Sequence, residues 1–226
     1  MKWQMSDEER KYLRELAKKQ AGYAALPVME ERRRMWLDLN DGRGARPPVV
    51  IETWTFDRDF MPPEIFRCKS DAARGIEWQL LRVIREHELI NDDKVVPSTY
   101  NTCWWMGVDE IGVHVNSEHV KDAQGHDTGY RFFHPIKNLK EDLGILKPPK
   151  CSVDREGSLA HRAFLEDLLG DILPVRMQGW LPGCRNLTQV VIRLMGMEAF
   201  FLAMYDCPEE VHKMMGILRD NSLQVL

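Results

Sequence analysis

The most constraining stretch of this chain is its last third, residues 173–226. Leu173-Pro174-Val175-Arg176-Met177-Gln178 reads as a short buried strand. The glycine-rich turn Gly179-Trp180-Leu181-Pro182-Gly183 follows. Two helical stretches come next, 187–204 and 208–226, the second opening on Pro208. Strand, turn and helix make a βα unit, and such units need further strands to pair with. The sequence stops where the next strand is expected. The implied architecture is α/β, the front part of a barrel in which strand ends carry the functional residues.

Upstream segments fit that alternation. Ser6 and Glu9 have the spacing of a capping box, predicting a helix to about Gly22. A second helix is predicted from Pro27, with Glu30-Glu31-Arg32-Arg33-Arg34 on a solvated face and a stop at Asn40-Asp41-Gly42. Pro47 to Trp54 is rich in β-branched residues and reads as the first barrel strand. Ser70 to Ile90 is predicted as the strongest helix, with Ile76, Leu80, Val83 and Ile84 on one stripe. Lys94–Pro97 reads as the second strand. Asp154 is the expected N-cap of a helix to Leu169, which leads into the third strand.

Residues 103–150 interrupt the alternation. Ile111–Val115 alternates as a strand would, and a hairpin-like turn at 124–129 precedes Tyr130-Arg131-Phe132-Phe133. The expected organisation is therefore an N-terminal helical extension over 1–46 and a partial barrel over 47–226, with a β-rich insertion at about 103–150.

Composition removes several function classes. A net charge of −4 gives no electrostatic footprint for nucleic acid. No apolar window is long enough for a membrane span, and the N-terminus has no signal-peptide core. The five cysteines are widely spaced without a CxxC pair, so reduced thiols in a cytoplasmic protein are expected. His114, His119, His126 and His134 match no helical metal motif. No metal site and no cofactor motif is evident in the chain.

In a barrel, chemistry sits just beyond each strand. Glu52, Trp54 and Arg58 follow the first expected strand: a carboxylate, an aromatic wall and a guanidinium suited to a substrate carboxylate. The alternative for Arg58 is an ion pair with Asp57, Asp59 or Glu64; for Glu52 it is a buried pair inside the barrel. Tyr100 and Asn101 follow the second strand, and Gln178 and Trp180 end the third. These seven are the candidate substrate-binding residues; no catalytic acid, base or nucleophile stands out.

The run Gly196-Met197-Glu198-Ala199-Phe200, followed by Asp206-Cys207-Pro208-Glu209-Glu210-Val211, resembles the G-x-E-x-F … D-x-P-E-x-V stretch of the uroporphyrinogen decarboxylase-like superfamily. Gln178-Gly179-Trp180 sits where that family's third strand ends. The resemblance is clearest over 170–222 and extends to 47–101. It implies a TIM-type (β/α)8 barrel of which this is the N-terminal portion. The family includes the haem-pathway decarboxylase and corrinoid- or cobalamin-linked methyltransferases. Where the decarboxylase has an arginine-rich segment for its polycarboxylate substrate, this chain has Thr55-Phe56-Asp57-Arg58-Asp59, whose acids would repel it. The methyl-transfer branch is thus the implied function, with uroporphyrinogen decarboxylation, or a non-catalytic barrel fragment that binds a partner, as alternatives. That branch implies a zinc ion held by late-strand His and Cys, and a corrinoid. Implied partners are a small-molecule substrate or a corrinoid protein, and a second copy or a C-terminal half closing the barrel.

Overall fold

In a computed structural model of the 226-residue chain, residues 3–109, 111–123, 125, 127–179 and 186–225 are described. The elements run α1 (Asp7–Ala24), α2 (Pro27–Asn40), α3 (Asp57–Phe60), α4 (Asp71–Arg85), β1 (Tyr100–Cys103), β2 (Trp105–Asp109), β3 (Ser117–Lys121), β4 (Asp127–Phe132), α5 (Leu139–Asp142), β5 (Lys150–Asp154), α6 (Arg155–Leu169), β6 (Val175–Gln178), α7 (Leu187–Met195), α8 (Met197–Asp206) and α9 (Pro208–Val225). They fall into two compact units. The first comprises 1–103 and 156–178, the second 104–155 and 179–226.

Unit 1 is built on α1, α4, α6 and the β1/β6 pair. Helix α1 starts as the sequence predicts. The Ser6 hydroxyl accepts from the Glu9 N–H, and the Glu9 carboxylate accepts from the Ser6 N–H. Leu13, Leu80, Leu168 and Tyr100 are buried together, with Ile76 of α4 and Val175 of β6 completing the core. Strands β1 and β6 are parallel, with Tyr100 opposite Val175 and Cys103 opposite Gln178. Parallel neighbours need a crossover, and α6 precedes β6 in that connection. α4 ends in a π-helical turn, Glu86–Ile90, stopped by Asn91 at φ 51°.

Two expected strands do not form. Pro47–Trp54 joins no ladder. The backbone N–H of Val49 donates to Asp93 (2.7 Å) and that of Ile51 to Asp92 (2.8 Å), so side-chain carboxylates replace a neighbouring strand. Lys94–Pro97 is likewise unpaired: the Lys94 carbonyl accepts from Arg32 and the Pro97 carbonyl from Gln20. The strand lies just downstream, at Tyr100–Cys103.

Glu9 ties α1 to the start of α4, accepting from the backbone N–H groups of Lys69 (2.7 Å) and Ser70 (3.0 Å). The Ser70 and Ser6 amides hold its carboxyl down at about 2, against an ordinary 4.5. A depressed folded-state pKa contributes stability above the unfolded value, and that stability is lost as pH falls from about 4.5 towards 2. Glu9→Gln is therefore expected to lower the melting temperature at pH 7 and to flatten part of the decline between pH 4.5 and 2, read by circular dichroism melts.

Unit 2 has a core of Val191 and Leu194 from α7, Phe200 from α8, Met214 and Leu218 from α9, and Ile136. Strands β2 and β5 pair antiparallel, and β3 and β4 form an exposed hairpin with a bulge at Val120/Lys121. The predicted hairpin thus forms. Its expected turn residues Gln124 and His126 lie outside the described residues. Ile111–Val115 is irregular. The expected helix over 187–204 is two helices, α7 and α8, bent by 99°. The break is Gly196, whose φ of 86° and ψ of 156° suit glycine alone. A Cβ there would also meet His134 Nε2 at 3.2 Å. Gly196→Ala is expected to cost about 1–3 kcal/mol, measured by urea denaturation. Among the described residues no single helix is long and apolar enough to cross a membrane; α7 and α8 pass that test only as a bent pair.

Candidate functional site

Alternation along β1 and β6 sorts their side chains onto two faces. Tyr100 and Val175 enter the unit 1 core, and Thr102 Oγ1 lies 3.5 Å from His161 Nδ1 on α6. The intervening residues, Asn101 and Cys103 of β1 and Arg176 and Gln178 of β6, take the opposite face. Asn101 is directly opposite Arg176, and Cys103 opposite Gln178. Cys103, Arg176 and Gln178 are exposed, and among the described residues their side chains make no hydrogen bond or ion pair. Asn101 is partly held: its carbonyl accepts from Gln79 Nε2 (2.9 Å) and its Oδ1 from the Thr99 hydroxyl (3.0 Å). A guanidinium between two carboxamides gives this face donors suited to an anionic or carbonyl-bearing ligand.

The other predicted residues sit elsewhere. Glu52 is exposed, not paired inside a barrel, and accepts from Trp54 Nε1 at 2.6 Å. Trp54 is itself 68% exposed. Arg58 is exposed on α3 and does not take the expected ion pair with Asp57. Asp57 instead accepts both ways from Arg82 Nη1, at 3.0 and 3.1 Å. Arg82 also donates to the buried Thr53 hydroxyl and lies over the Trp78 ring at 5.0 Å. Arg82 and Gln79 are one turn apart on α4, so the 53–57 loop and Asn101 are anchored by the same helical turn.

Tyr100 is removed from the site: its ring is 5% exposed, and burial pushes its hydroxyl well above the ordinary tyrosine range. Trp180 lies outside the described residues. The structure therefore brings together Asn101 and Gln178 and adds Cys103 and Arg176. Arg176 was visible in the sequence as the one charge within a short apolar strand, a position that is costly unless it faces water or a ligand.

The histidines of unit 2 are dispersed. His119 Nδ1 lies 3.1 Å from Asp127 across the β3/β4 hairpin, and His134 Nδ1 lies 2.9 Å from the Arg193 carbonyl. Among the described residues no group of three or more His, Cys, Asp or Glu is arranged around a metal position. Cys103 has no such companions, so the described residues do not by themselves fit a zinc ion. No protein-family model, curated protein or solved structure matches the chain.

Proposed function

We propose that the chain is the N-terminal part of a uroporphyrinogen decarboxylase-like barrel enzyme of the corrinoid-linked methyl-transfer branch, acting in the cytoplasm on a small-molecule substrate or with a corrinoid protein. The observation that carries this is the β1/β6 pair: parallel strands, a helix in the crossover, and a polar open face with Asn101 and Arg176 along it and Gln178 at the end of β6. In a closed barrel that face would be the lumen. The Gly196–Phe200 and Asp206–Val211 stretches add the sequence resemblance. The role assigned to this chain is binding and orientation. Arg176 would hold an anionic or carbonyl group of the substrate, with Asn101 and Gln178 fixing its angle and Glu52, Trp54 and Arg58 at the approach. In the methyl-transfer branch, late-strand residues outside this chain would supply the zinc ligands.

A second reading, a non-catalytic fragment that binds a partner, is favoured by one observation. Helix α8 exposes Met197, Phe201, Leu202, Met204 and Tyr205, the last at 90%. An apolar helix face of this kind marks an interaction surface. A second copy or the C-terminal half of the barrel would cover it. Uroporphyrinogen decarboxylation has no such support, because Asp57 and Asp59 flank Arg58.

The test is methylation of cob(I)alamin, followed anaerobically by loss of its absorbance, with thiol, amine and aryl-ether methyl donors. The protein is expressed with any coding sequence that continues in frame after Leu226. The proposal expects turnover with one donor class and an Arg176→Ala variant whose KM rises roughly tenfold to a hundredfold, the worth of one charge-assisted hydrogen bond. Turnover of uroporphyrinogen without methyl transfer would move the protein to the decarboxylase branch. Neither activity would leave the partner-binding reading.

A further inference from the structure

A cavity of about 370 Å³ lies within unit 1, between α2 and the segment that precedes β1. Its wall includes Arg32, Trp36, Lys94, Val95, Val96 and Pro97. It belongs to the start of β1, whereas the open polar face reaches the strand's end.

Arg32 is the unusual member. It is 8% exposed, and a buried guanidinium ordinarily has a carboxylate beside it. Here Nη1 donates to the Lys94 carbonyl at 3.0 Å, and Nη2 donates to Asn91 Oδ1 at 2.8 Å and to the Asn91 carbonyl at 3.4 Å. Nη1 also reaches Met29 Sδ at 4.0 Å, and all four acceptors are neutral. Among the described residues its Nε–H donates to nothing.

The surrounding acids are committed to other groups. Asp93 accepts from both Arg46 Nη1 (2.7 Å) and Nη2 (2.8 Å), and from the Val49 N–H. Asp92 accepts from the Ile51 and Lys94 N–H groups. Glu86 faces Lys94 Nζ at 3.3 Å and Arg82 Nε at 3.6 Å. His87, whose ring lies 4.5 Å from that of Tyr23, adds no anion.

The rest of the wall is mixed: Glu86, Asp92 and Lys94, engaged as above, line it beside apolar groups. The Trp36 indole is fixed by its N–H to the Asp93 carbonyl at 2.8 Å, and Val83, Val95, Val96 and Pro97 complete it. A guanidinium with no carboxylate partner, beside the apolar part of the wall, matches a flat carboxylate carrying a small hydrocarbon body. The volume is within the range of small-ligand sites.

We propose that this cavity binds a small aromatic or branched-chain monocarboxylate, with its carboxylate on Arg32 and its apolar body against Trp36 and residues 95–97. The site stands apart from the barrel-lumen reading and does not depend on it.

The experiment is calorimetric titration of the full chain with benzoate, phenylacetate and isobutyrate, beside benzamide as the neutral match of benzoate. Intrinsic tryptophan fluorescence reports occupancy next to Trp36. The expected result is saturable one-to-one binding of at least one carboxylate, with benzamide at least tenfold weaker than benzoate if benzoate binds. Arg32→Gln is expected to weaken binding at least tenfold. That variant also removes the Arg32 bonds to Asn91 and Lys94, so Val95→Phe, which fills the cavity and keeps Arg32, is measured beside it. It too is expected to weaken binding at least tenfold while keeping the native far-ultraviolet spectrum. Three results would each overturn the site: no saturation by any of the three carboxylates at millimolar concentration, equal binding of benzoate and benzamide, or undiminished binding by a folded Val95→Phe variant.

Discussion

Replacing Glu77 with alanine is expected to destabilise unit 1 by about 2–5 kcal/mol. Glu77 is fully buried on α4. Its Oε1 accepts from the Arg67 N–H at 2.7 Å and its Oε2 from the Cys68 N–H at 3.0 Å. Burial and the nearby Glu77 charge push the Tyr12 hydroxyl up to about 12. The segment before α4 has no strand to pair with, so Glu77 satisfies the Arg67 and Cys68 amides as Glu9 satisfies those of Lys69 and Ser70. Alanine would strand the buried Cys68 N–H and the part-buried Arg67 N–H, a buried donor being worth roughly 1–3 kcal/mol when left unmade. Chemical denaturation measures the loss. A second readout is the neighbouring thiol. Burial and Glu77 push Cys68 up to about 12, so it is inert at neutral pH. In a Glu77→Gln variant the negative charge is gone, and alkylation of Cys68 is expected to speed up relative to the parent. An unchanged midpoint in Glu77→Ala would mean that water takes over the amides.

Leu168→Ala carries the other large effect, about 2–5 kcal/mol. Leu168 is fully buried in the cluster where α1, α4 and α6 meet, beside Leu13, Leu80 and Leu165. Its backbone carbonyl also accepts from Arg14 Nη1 at 2.7 Å, and Arg14 makes a paired contact with Asp171. Substitution leaves that backbone bond in place and deletes only packing, so the loss reads the transfer and cavity terms of the removed side chain. The surface change Leu223→Ala, at a residue 61% exposed, should stay within about 0.5 kcal/mol. Comparable losses in both variants would contradict the core assigned here.

Helices proved easier to read than strands, for physical reasons visible at single residues. The Ser6/Glu9 box, the Ser70 cap with the Ile76–Leu80–Ile84 stripe, and Pro27 and Pro208 at helix starts are local signals, and each marks a helix start or face in the structure. Strand formation depends on a partner that local sequence does not contain. Val49–Ile51 and Lys94–Pro97 have strand-like composition, yet Asp92, Asp93, Arg32 and Gln20 occupy their backbone groups. Tyr100–Cys103 pairs because Val175–Gln178 is there to meet it. Gly196 was readable only as an isolated glycine in a helical pattern; its positive φ makes it a break.

The candidate site was legible in part for the same reason. Gln178 was reachable from its place at a strand end; Asn101 was placed after an expected strand at 94–97 that does not form, and it lies within β1. Tyr100 was not separable from Asn101 until the register fixed which of the two faced the core. Arg176 carried a signal as the one charge in a short apolar strand, and the pairing then set it opposite Asn101. The acid pair around Arg58 looked self-sufficient in sequence, but Arg82, far along the chain, captures Asp57.

The proposed function requires that this chain present an open portion of a barrel. Among the described residues β1 and β6 pair only with each other, which leaves an outer edge on each, and α8 carries an uncovered apolar face. On α7 and α8, Val191, Leu194 and Phe200 are buried, whereas Met197, Phe201, Leu202, Met204 and Tyr205 are exposed. Light scattering of the purified 226-residue chain across a concentration series is the most direct measurement. The account predicts concentration-dependent dimers or larger species, with binding of a dye that reports exposed apolar surface. A monodisperse monomer at high concentration, melting cooperatively and binding no such dye, would contradict it.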